Sequence, residues 1–194
     1  MVAVRGGSAA PRRLPGVEGV WVFVAADMSF FALLFVSFML GRQATPEVFE
    51  ASRQTLDYNF GGINTLILLT SSWFVVLAVE AVKRNELKNV PHMIASAFLL
   101  GVAFMVSKAL EYGGKIKAGI TMLSNDFYMY YFTLTGIHLL HVFGGNILLI
   151  VLWNKARARR FTKDNCVVLE CGATYWHMVD LLWIVLFPLL YLLR

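Results

Sequence analysis

Residues Gly172–Arg194 read GATYWHMVDLLWIVLFPLLYLLR, and this stretch decides the fold. It is long and apolar enough to form a helix across a bilayer, which requires about 20 residues. The same stretch contains His177 and Asp180, three residues apart and therefore on one face of the helix. Ionisable groups inside a membrane span usually face other protein or water rather than lipid. We therefore predict that this face packs against other helices of the chain.

The rest of the chain has the composition of a polytopic membrane protein, with 58% hydrophobic and 15% charged residues. We predict an all-α membrane protein, a bundle of five transmembrane helices joined by loops too short for a soluble domain. Residues 1–16 are predicted to be a flexible cytoplasmic tail, and residues 17–194 a single transmembrane domain. The five helices are expected at about Val17–Leu40, Gly62–Val82, Pro91–Tyr112, Phe127–Trp153 and Gly172–Leu193.

Lys and Arg residues are unevenly distributed between the two predicted sides of the membrane. The side of the N-terminus carries Arg5, Arg12, Arg13, Lys83, Arg84, Lys88, Lys155, Arg157, Arg159, Arg160 and Lys163, and the other side carries Arg42, Arg53, Lys115, Lys117 and Arg194. The positive-inside rule then places the N-terminus in the cytoplasm and the C-terminus outside. Topology and attraction to anionic lipid explain the net charge of +5, so no nucleic-acid partner is expected.

Further ionisable residues lie inside the predicted first and fourth helices. Asp27 is about ten residues, or roughly 15 Å, into the first helix and therefore close to mid-membrane. The fourth helix carries His138 and His141 on one face. Since the fourth and fifth helices run antiparallel, we expect His141 at the depth of His177. His138 is expected at the depth of Asp180 and Asp27.

These positions predict a buried polar network that joins helices three to five. Its members are Glu111, His138, His141, Glu170, His177 and Asp180. Glu111 is expected near the outer surface and Glu170 near the inner one, so the two carboxylates should not touch. Asp27 is a separate candidate, because a carboxylate near mid-membrane must be protonated, paired or hydrated.

Three functions are compatible with this cluster. Transmembrane cytochromes hold haem between histidines at matched depth, which would make His141 and His177 a ligand pair. Against this, the nearby carboxylates would more naturally bond the imidazoles. A proton or small-ion conduit would use Asp27, His138 and Asp180. The third possibility is a non-catalytic subunit whose polar network fixes the register of the helices. No catalytic triad, phosphate-binding loop or di-metal ligand set accompanies these residues.

Two long runs of this sequence resemble subunit III of the haem-copper (cytochrome c) oxidases. That family has a TG-x-H-x-x-H-V run in one helix and a W-H-x-x-D-x-x-W run in its last helix. The matching runs here are FTLTGIHLLHVFGG at Phe132–Gly145 and YWHMVDLLWIVL at Tyr175–Leu186, with further similarity in NTLILL at Asn64–Leu69, at Glu111–Tyr112 and at Glu170. The resemblance covers nearly the whole chain from Gly16.

The resemblance implies a non-catalytic subunit of the bacterial cytoplasmic (inner) membrane, itself without haem, copper or another metal. Haem and copper belong to its partner, the catalytic subunit I. The resemblance also implies bound phospholipid and a role in proton entry. Long members of the family carry an intramembrane Glu at the position of Asp27, which makes Asp27 the candidate for proton uptake. Long members have seven helices, and this chain lacks the first two.

A second resemblance concerns the identity of the partner. The short length and the opening LPGVEGVWVFVAADM at Leu14–Met28 are similar to the branch of the family associated with nitric oxide reductases. The partner is therefore expected to reduce either oxygen or nitric oxide. Its electron donor is expected to be either cytochrome c or quinol.

Overall fold

The computed structural model describes residues 16–162 and 165–193. Within them, the helices are α1 Glu18–Ala44, α2 Pro46–Arg53, α3 Tyr58–Lys83, α4 Val90–Lys117, α5 Asp126–Arg157 and α6 Val167–Phe187, followed by a π-helical turn at Pro188–Leu192. All except α2 are long and apolar enough to cross a membrane, which confirms the predicted all-α bundle with five spans. Residues 1–15 of the predicted tail, together with Lys163 and Arg194, lie outside the described residues.

Helices α3 to α6 form a four-helix ring, and α1 packs on its outside. Going round the ring, α3 contacts α4, α4 contacts α5, α5 contacts α6, and α6 contacts α3. Helix α1 lies against α5 and α6, and its fully buried side chains are Phe31 and Phe38. Most of the α1 surface is therefore available to lipid or to another subunit.

The ring has two ends with different side chains. We call the end that holds the turn between α3 and α4, the end of α5 at Arg157 and the start of α6 the basic end. We call the other end, which holds Lys108, Tyr131 and Tyr191, the aromatic end. Whether the basic end lies in the cytoplasm, as the positive-inside rule indicates, stays a prediction.

Helix α4 continues past its predicted end at Tyr112. It runs through Gly113 and Gly114 to Lys117, since a glycine costs a helix only about 1 kcal/mol. The helix is ended by Gly119, which has a φ of +77°. The amide groups of Gly119 and Ile120 donate to the carbonyls of Ile116 and Lys115, which is the Schellman arrangement.

Helix α2 is absent from the sequence-based prediction. It has only eight residues and starts with Pro46 in its first turn, where a missing amide hydrogen costs nothing. Phe49 is its apolar anchor, because its ring packs against those of Phe38 and Phe127, with centroid distances of 5.3 and 5.6 Å. So short a helix gives too few apolar repeats to be recognised from the sequence alone.

Helix α6 begins five residues before its predicted start at Gly172. The amide of Glu170 donates to the carbonyl of Cys166 at 2.9 Å, which places Glu170 inside the first turn of the helix. At the other end Pro188 lacks an amide hydrogen, and the helix widens into the π-helical turn. The amide of Leu193 then donates to the carbonyl of Pro188 at 2.9 Å.

Candidate functional site

Asp27 of α1 contacts His141 of α5 inside the membrane-spanning part of the chain. Oδ1 of Asp27 lies 3.1 Å from Nε2 of His141, and the two side chains are 11% and 20% exposed. The ring of Phe31 packs edge-on against the imidazole at a centroid distance of 5.5 Å. This contact attaches the peripheral helix α1 to the ring of four.

The position of Asp27 along the helices differs from the sequence-based expectation. Asp27 was expected at the depth of His138, yet its partner is His141, nearly one helical turn further along α5. Counting residues from predicted helix ends assumes that all helices begin at the same level. Helix α1 packs outside the ring, so its offset is set by its own contacts with α5 and α6.

The hydrogen bonds of His141 fix the number of protons held by the pair. Nδ1 of His141 lies 2.8 Å from the carbonyl oxygen of Ile137, which can only accept, so Nδ1 carries a hydrogen. The contact between Nε2 and Asp27 then needs one further proton. Either the imidazole is doubly protonated beside a carboxylate, or the Asp27 carboxyl group donates to a neutral imidazole. In both arrangements one proton lies between Nε2 of His141 and Oδ1 of Asp27.

The surroundings of this pair are mostly apolar. The hydroxyl of Tyr175 on α6 donates to the backbone carbonyl of His141 at 3.1 Å. The ring of Tyr175 stacks on that of Phe23 at 6.0 Å. Within the described ranges, Oδ2 of Asp27 is buried and has no hydrogen-bond partner. The described part of the chain therefore leaves this buried acceptor unsatisfied.

A second polar centre lies at the aromatic end and is built around Lys108. Its side chain has no exposed surface, and Nζ lies 2.8 Å from Oε2 of Glu111, 3.2 Å from the hydroxyl of Tyr131 and 3.1 Å from that of Tyr191. Both tyrosine hydroxyls donate to Oε1 of Glu111, at 2.7 and 2.6 Å. The three ammonium hydrogens thus have three acceptors, contributed by α4, α5 and the π-helical turn.

A third polar centre joins α3 to α6 through adjacent serines. The indole of Trp176 donates to Ser71 at 3.1 Å, and Ser71 donates to the carbonyl of Ala97 on α4 at 2.9 Å. Nδ1 of His177 lies 3.1 Å from Oγ of Ser72, whereas Oδ1 of Asp180 is buried and has no hydrogen-bond partner among the described residues. Ser72 therefore bonds to one of the residues predicted for the network.

His138 and Glu170 each have partners of their own. His138 has no exposed surface, and its Nε2 lies 3.0 Å from the carbonyl oxygen of Val179, so Nε2 carries the hydrogen. Glu170, at the basic end, pairs with Lys83 at 2.8 Å and accepts the amide of Gly16 at 3.1 Å. The first contact closes α6 onto α3, and the second ties the start of the described chain to α6.

The six residues predicted for one network are therefore placed in separate groups. No hydrogen bond within residues 16–162 and 165–193 joins any two of Glu111, His138, His141, Glu170, His177 and Asp180. Glu111 on α4 lies at the aromatic end and Glu170 on α6 at the basic end, which agrees with the prediction that they do not touch. Each polar group bonds to the nearest partner at its own depth, since successive turns are about 5 Å apart along a helix. The network as a functional unit stays a prediction.

Several important partners were not predicted from the sequence. They are Ser71, Ser72, Lys83, Tyr131, Trp176 and Tyr191. For Tyr131 a signal was present, because Tyr128, Tyr131, Thr135 and His138 recur every three or four residues and mark the buried face of α5. Ser71 and Ser72 carry no comparable signal, since hydroxyl groups in membrane helices commonly bond to their own backbone.

The contacts of His141 and His177 do not fit those of a haem ligand pair. Both ring nitrogens of His141 are engaged, with Ile137 and with Asp27. His177 points to Ser72 on α3, whereas His141 points to α1. Among the described residues there is also no group of three His, Cys, Asp or Glu side chains that could hold a metal ion.

Comparisons with a family model and with individual relatives point to the same family. The family model described as cytochrome c oxidase subunit III matches residues 13–193. A cytochrome c oxidase subunit 3 of Synechocystis sp. is 31% identical over 176 residues, covering 90% of this chain and 74% of the relative. Those of Thermostichus vulcanus and Corynebacterium diphtheriae are 29% and 28% identical, covering 91% and 96% of this chain and 87% and 95% of the relatives.

Proposed function

This chain belongs to the cytochrome c oxidase subunit III family, and we propose that it is a non-catalytic subunit that supports proton uptake by its catalytic partner. As a subunit III of a haem-copper oxidase, it associates with catalytic subunit I. Haem and copper reside in that partner in this proposal, and the complex lies in the bacterial inner membrane. Phospholipid bound at the membrane-facing surface is part of the proposal.

The observation that carries the proposal is the 3.1 Å contact between Asp27 and His141. Asp27 lies inside a span, on α1, which is the least buried of the five candidate spans. The side chains of Asp27 and His141 keep 11% and 20% exposure, which supports exchange of a proton with water or with a partner residue. Without a proton between them, two hydrogen-bond acceptors would face each other, the carboxylate and the lone pair of Nε2.

The decisive experiment is proton-uptake kinetics of the purified oxidase complex with Asp27→Asn. The Asn amide donates to Nε2 of His141 and keeps the contact, but it carries no transferable proton. We expect an intact complex whose proton uptake is slower than that of the wild type. Ser37→Ala is the matched control, because it removes a 3.0 Å bond between α1 and Tyr130 on α5 without removing an ionisable group.

Two outcomes would contradict the proton role. Unchanged uptake in an intact Asp27→Asn complex would show that the pair only braces α1. Equal slowing by Asp27→Asn and Ser37→Ala would show that any weakening of the α1 contact produces the effect.

The substrate of the partner is a separate part of the proposal. The relatives carry the name cytochrome c oxidase subunit 3, which favours oxygen over nitric oxide. Co-purification followed by measurement of oxygen and nitric oxide consumption tests this. Nitric oxide consumption without oxygen consumption would assign the chain to a nitric oxide reductase instead.

A further inference from the structure

The start of α1 is bound to the start of α6 through two backbone amides. The amide of Gly16 donates to Oε2 of Glu170 at 3.1 Å, and the amide of Val17 donates to Sγ of Cys171 at 3.3 Å. Val17 is the N-cap residue of α1, so both amides belong to backbone that continues directly into this helix. Glu170 and Cys171 lie at the beginning of α6. We call these four residues the N-terminal latch.

Glu170 is itself held in place from a third helix. Its Oε1 lies 2.8 Å from Nζ of Lys83 at the end of α3, and its side chain is 14% exposed. Each carboxylate oxygen therefore bonds to a different element of the chain. Hydrogen bonds to an ionised group are stronger than those between neutral groups, whereas sulfur is a weak acceptor. The bond between Gly16 and Glu170 is therefore the stronger of the two in the latch.

The backbone of Gly16 rests directly on α6. Gly16 has a φ of +81°, a conformation that residues with a Cβ rarely adopt. A Cβ at this position would lie 2.9 Å from Sγ of Cys171 and 3.5 Å from the backbone nitrogen and Cα of the same residue. A side chain at position 16 would therefore strain the backbone and push the chain away from Glu170.

The part of α1 between the latch and Asp27 has little packing to fix its axial position. No side chain of residues 17–26 is buried, and the first buried side chain of the helix is Phe31. Asp27 follows Gly16 by eleven residues, or about 16 Å along a helix. The contact between Asp27 and His141 tolerates a change in length of about 0.5 Å, whereas moving α1 by one residue shifts it by about 1.5 Å. The axial position of this part therefore depends on the polar contacts at its two ends.

We propose that Glu170 is a positioning residue for Asp27. Its bond to the amide of Gly16 sets the axial position of α1 and thereby keeps Asp27 opposite His141. Within the described residues Glu170 forms no hydrogen bond with Asp27 or His141, so it acts through the position of the helix. The inference rests on the proposed function, because it gives Glu170 a part in the proton uptake assigned to Asp27.

The test is cryo-electron microscopy of the purified oxidase complex carrying Gly16→Ala, together with its proton-uptake kinetics. We expect α1 to be displaced along its axis relative to α5 by about 1.5 Å, with loss of the contact between Asp27 and His141. Proton uptake should be slowed by the same factor as in Asp27→Asn. Gly19→Ala is the matched control, because a Cβ at Gly19 meets nothing within 4 Å. It should change neither the position of α1 nor proton uptake.

A second variant removes the acceptor instead of the glycine. Glu170→Leu keeps a side chain of similar size but cannot accept the amide of Gly16, so α1 should be displaced as in Gly16→Ala. Glu80→Leu is its control, because Glu80 forms a salt bridge at the same end of the ring, with Arg84. It should leave α1 in place.

The double variant Gly16→Ala with Asp27→Asn shows whether the latch acts through Asp27. Its proton uptake should be no slower than that of Asp27→Asn alone, since both changes act on one contact. Additive slowing would overturn the proposal, and so would an unmoved α1 in both Gly16→Ala and Glu170→Leu. Unchanged uptake in Asp27→Asn contradicts the proposed function, whereas the structures of the two latch variants decide whether the latch positions α1. The two failures are therefore distinguishable.

Discussion

Lys108 and Glu111 form a 2.8 Å ion pair in which the lysine side chain has no exposed surface. The pair is not isolated, because Tyr131 and Tyr191 bond to both charged groups. The rings of Tyr112, Tyr131, Trp183 and Tyr191 surround Nζ at 5.1 to 5.8 Å. Three separate elements of the chain are therefore held together at the aromatic end by one charge pair.

Replacing Lys108 by Met should destabilise the protein by about 3–5 kcal/mol, because Glu111 would remain as a buried charge without its partner. The measurement is the unfolding midpoint in detergent. Lys108→Met combined with Glu111→Gln should recover much of the loss, since neither charge then remains. If Lys108→Met alone lowered the unfolding midpoint no more than the double substitution does, the pair would not be desolvated.

Gly145→Ala should destabilise the packing of α5 on α6. A Cβ at this position would lie 2.7 Å from the ring of Trp176, which is buried and cannot move away. Forcing an extra methyl group into a packed interface costs about 1–3 kcal/mol. Gly136→Ala on the same helix is the control, because a Cβ there meets nothing within 4 Å. It should be neutral or stabilise by up to about 1 kcal/mol through helix propensity. Equal unfolding midpoints for the two variants would contradict the interpretation.

Ser72→Ala should cost about 1–3 kcal/mol, because His177 would lose its buried hydrogen-bond partner. His177→Leu should cost less, since the Ser72 hydroxyl that remains can bond to the backbone of its own helix. Thr70→Val is a suitable control, because the Thr70 hydroxyl bonds to the backbone carbonyl of Leu66 on its own helix. The comparison uses unfolding midpoints of all three variants. A larger loss for His177→Leu than for Ser72→Ala would show that the histidine does more than bond to Ser72.

The salt bridge between Glu50 and Arg53 on α2 should produce a dependence of stability on pH. The hydrogen bond from Arg53 lowers the pKa of Glu50 from 4.5 to about 2. Because the pKa is lower in the folded state, the stabilisation is complete above pH 4.5 and is lost as the pH falls toward 2. The difference in unfolding midpoint between the wild type and Glu50→Gln should disappear over this window. Glu47→Gln, which removes one negative charge from an exposed position of the same helix, is the matched control.

The family and the number of spans could both be predicted from the sequence, but for different reasons. Five apolar stretches of about 20 residues or more specify five spans, because a helix of that length crosses the bilayer and satisfies its own backbone polar groups. The family was accessible because two long runs, at Phe132–Gly145 and Tyr175–Leu186, occur in the right order. The spacing of Lys108 and Glu111, three residues apart on one helix, also places the two side chains on one face.

The ends of the helices were predicted less well from the sequence than their number. Gly113, Gly114 and Gly119 are equivalent as sequence signals, yet only Gly119 ends α4 with a left-handed backbone conformation. Helix α2 was missed for a related reason. Its stability depends on Phe49 packing against residues far away in the sequence, which a local pattern does not contain.

The sequence by itself thus determined that ionisable residues lie inside the long apolar helices. Only the tertiary structure decided which groups they contact. His141 was a candidate partner for His177, but it bonds to Asp27, and His177 bonds to Ser72. The physical reason is that a partner is set by the rotation and offset of each helix about its axis. Those two quantities follow from the packing of whole helix faces against each other, not from the spacing of residues along one of them.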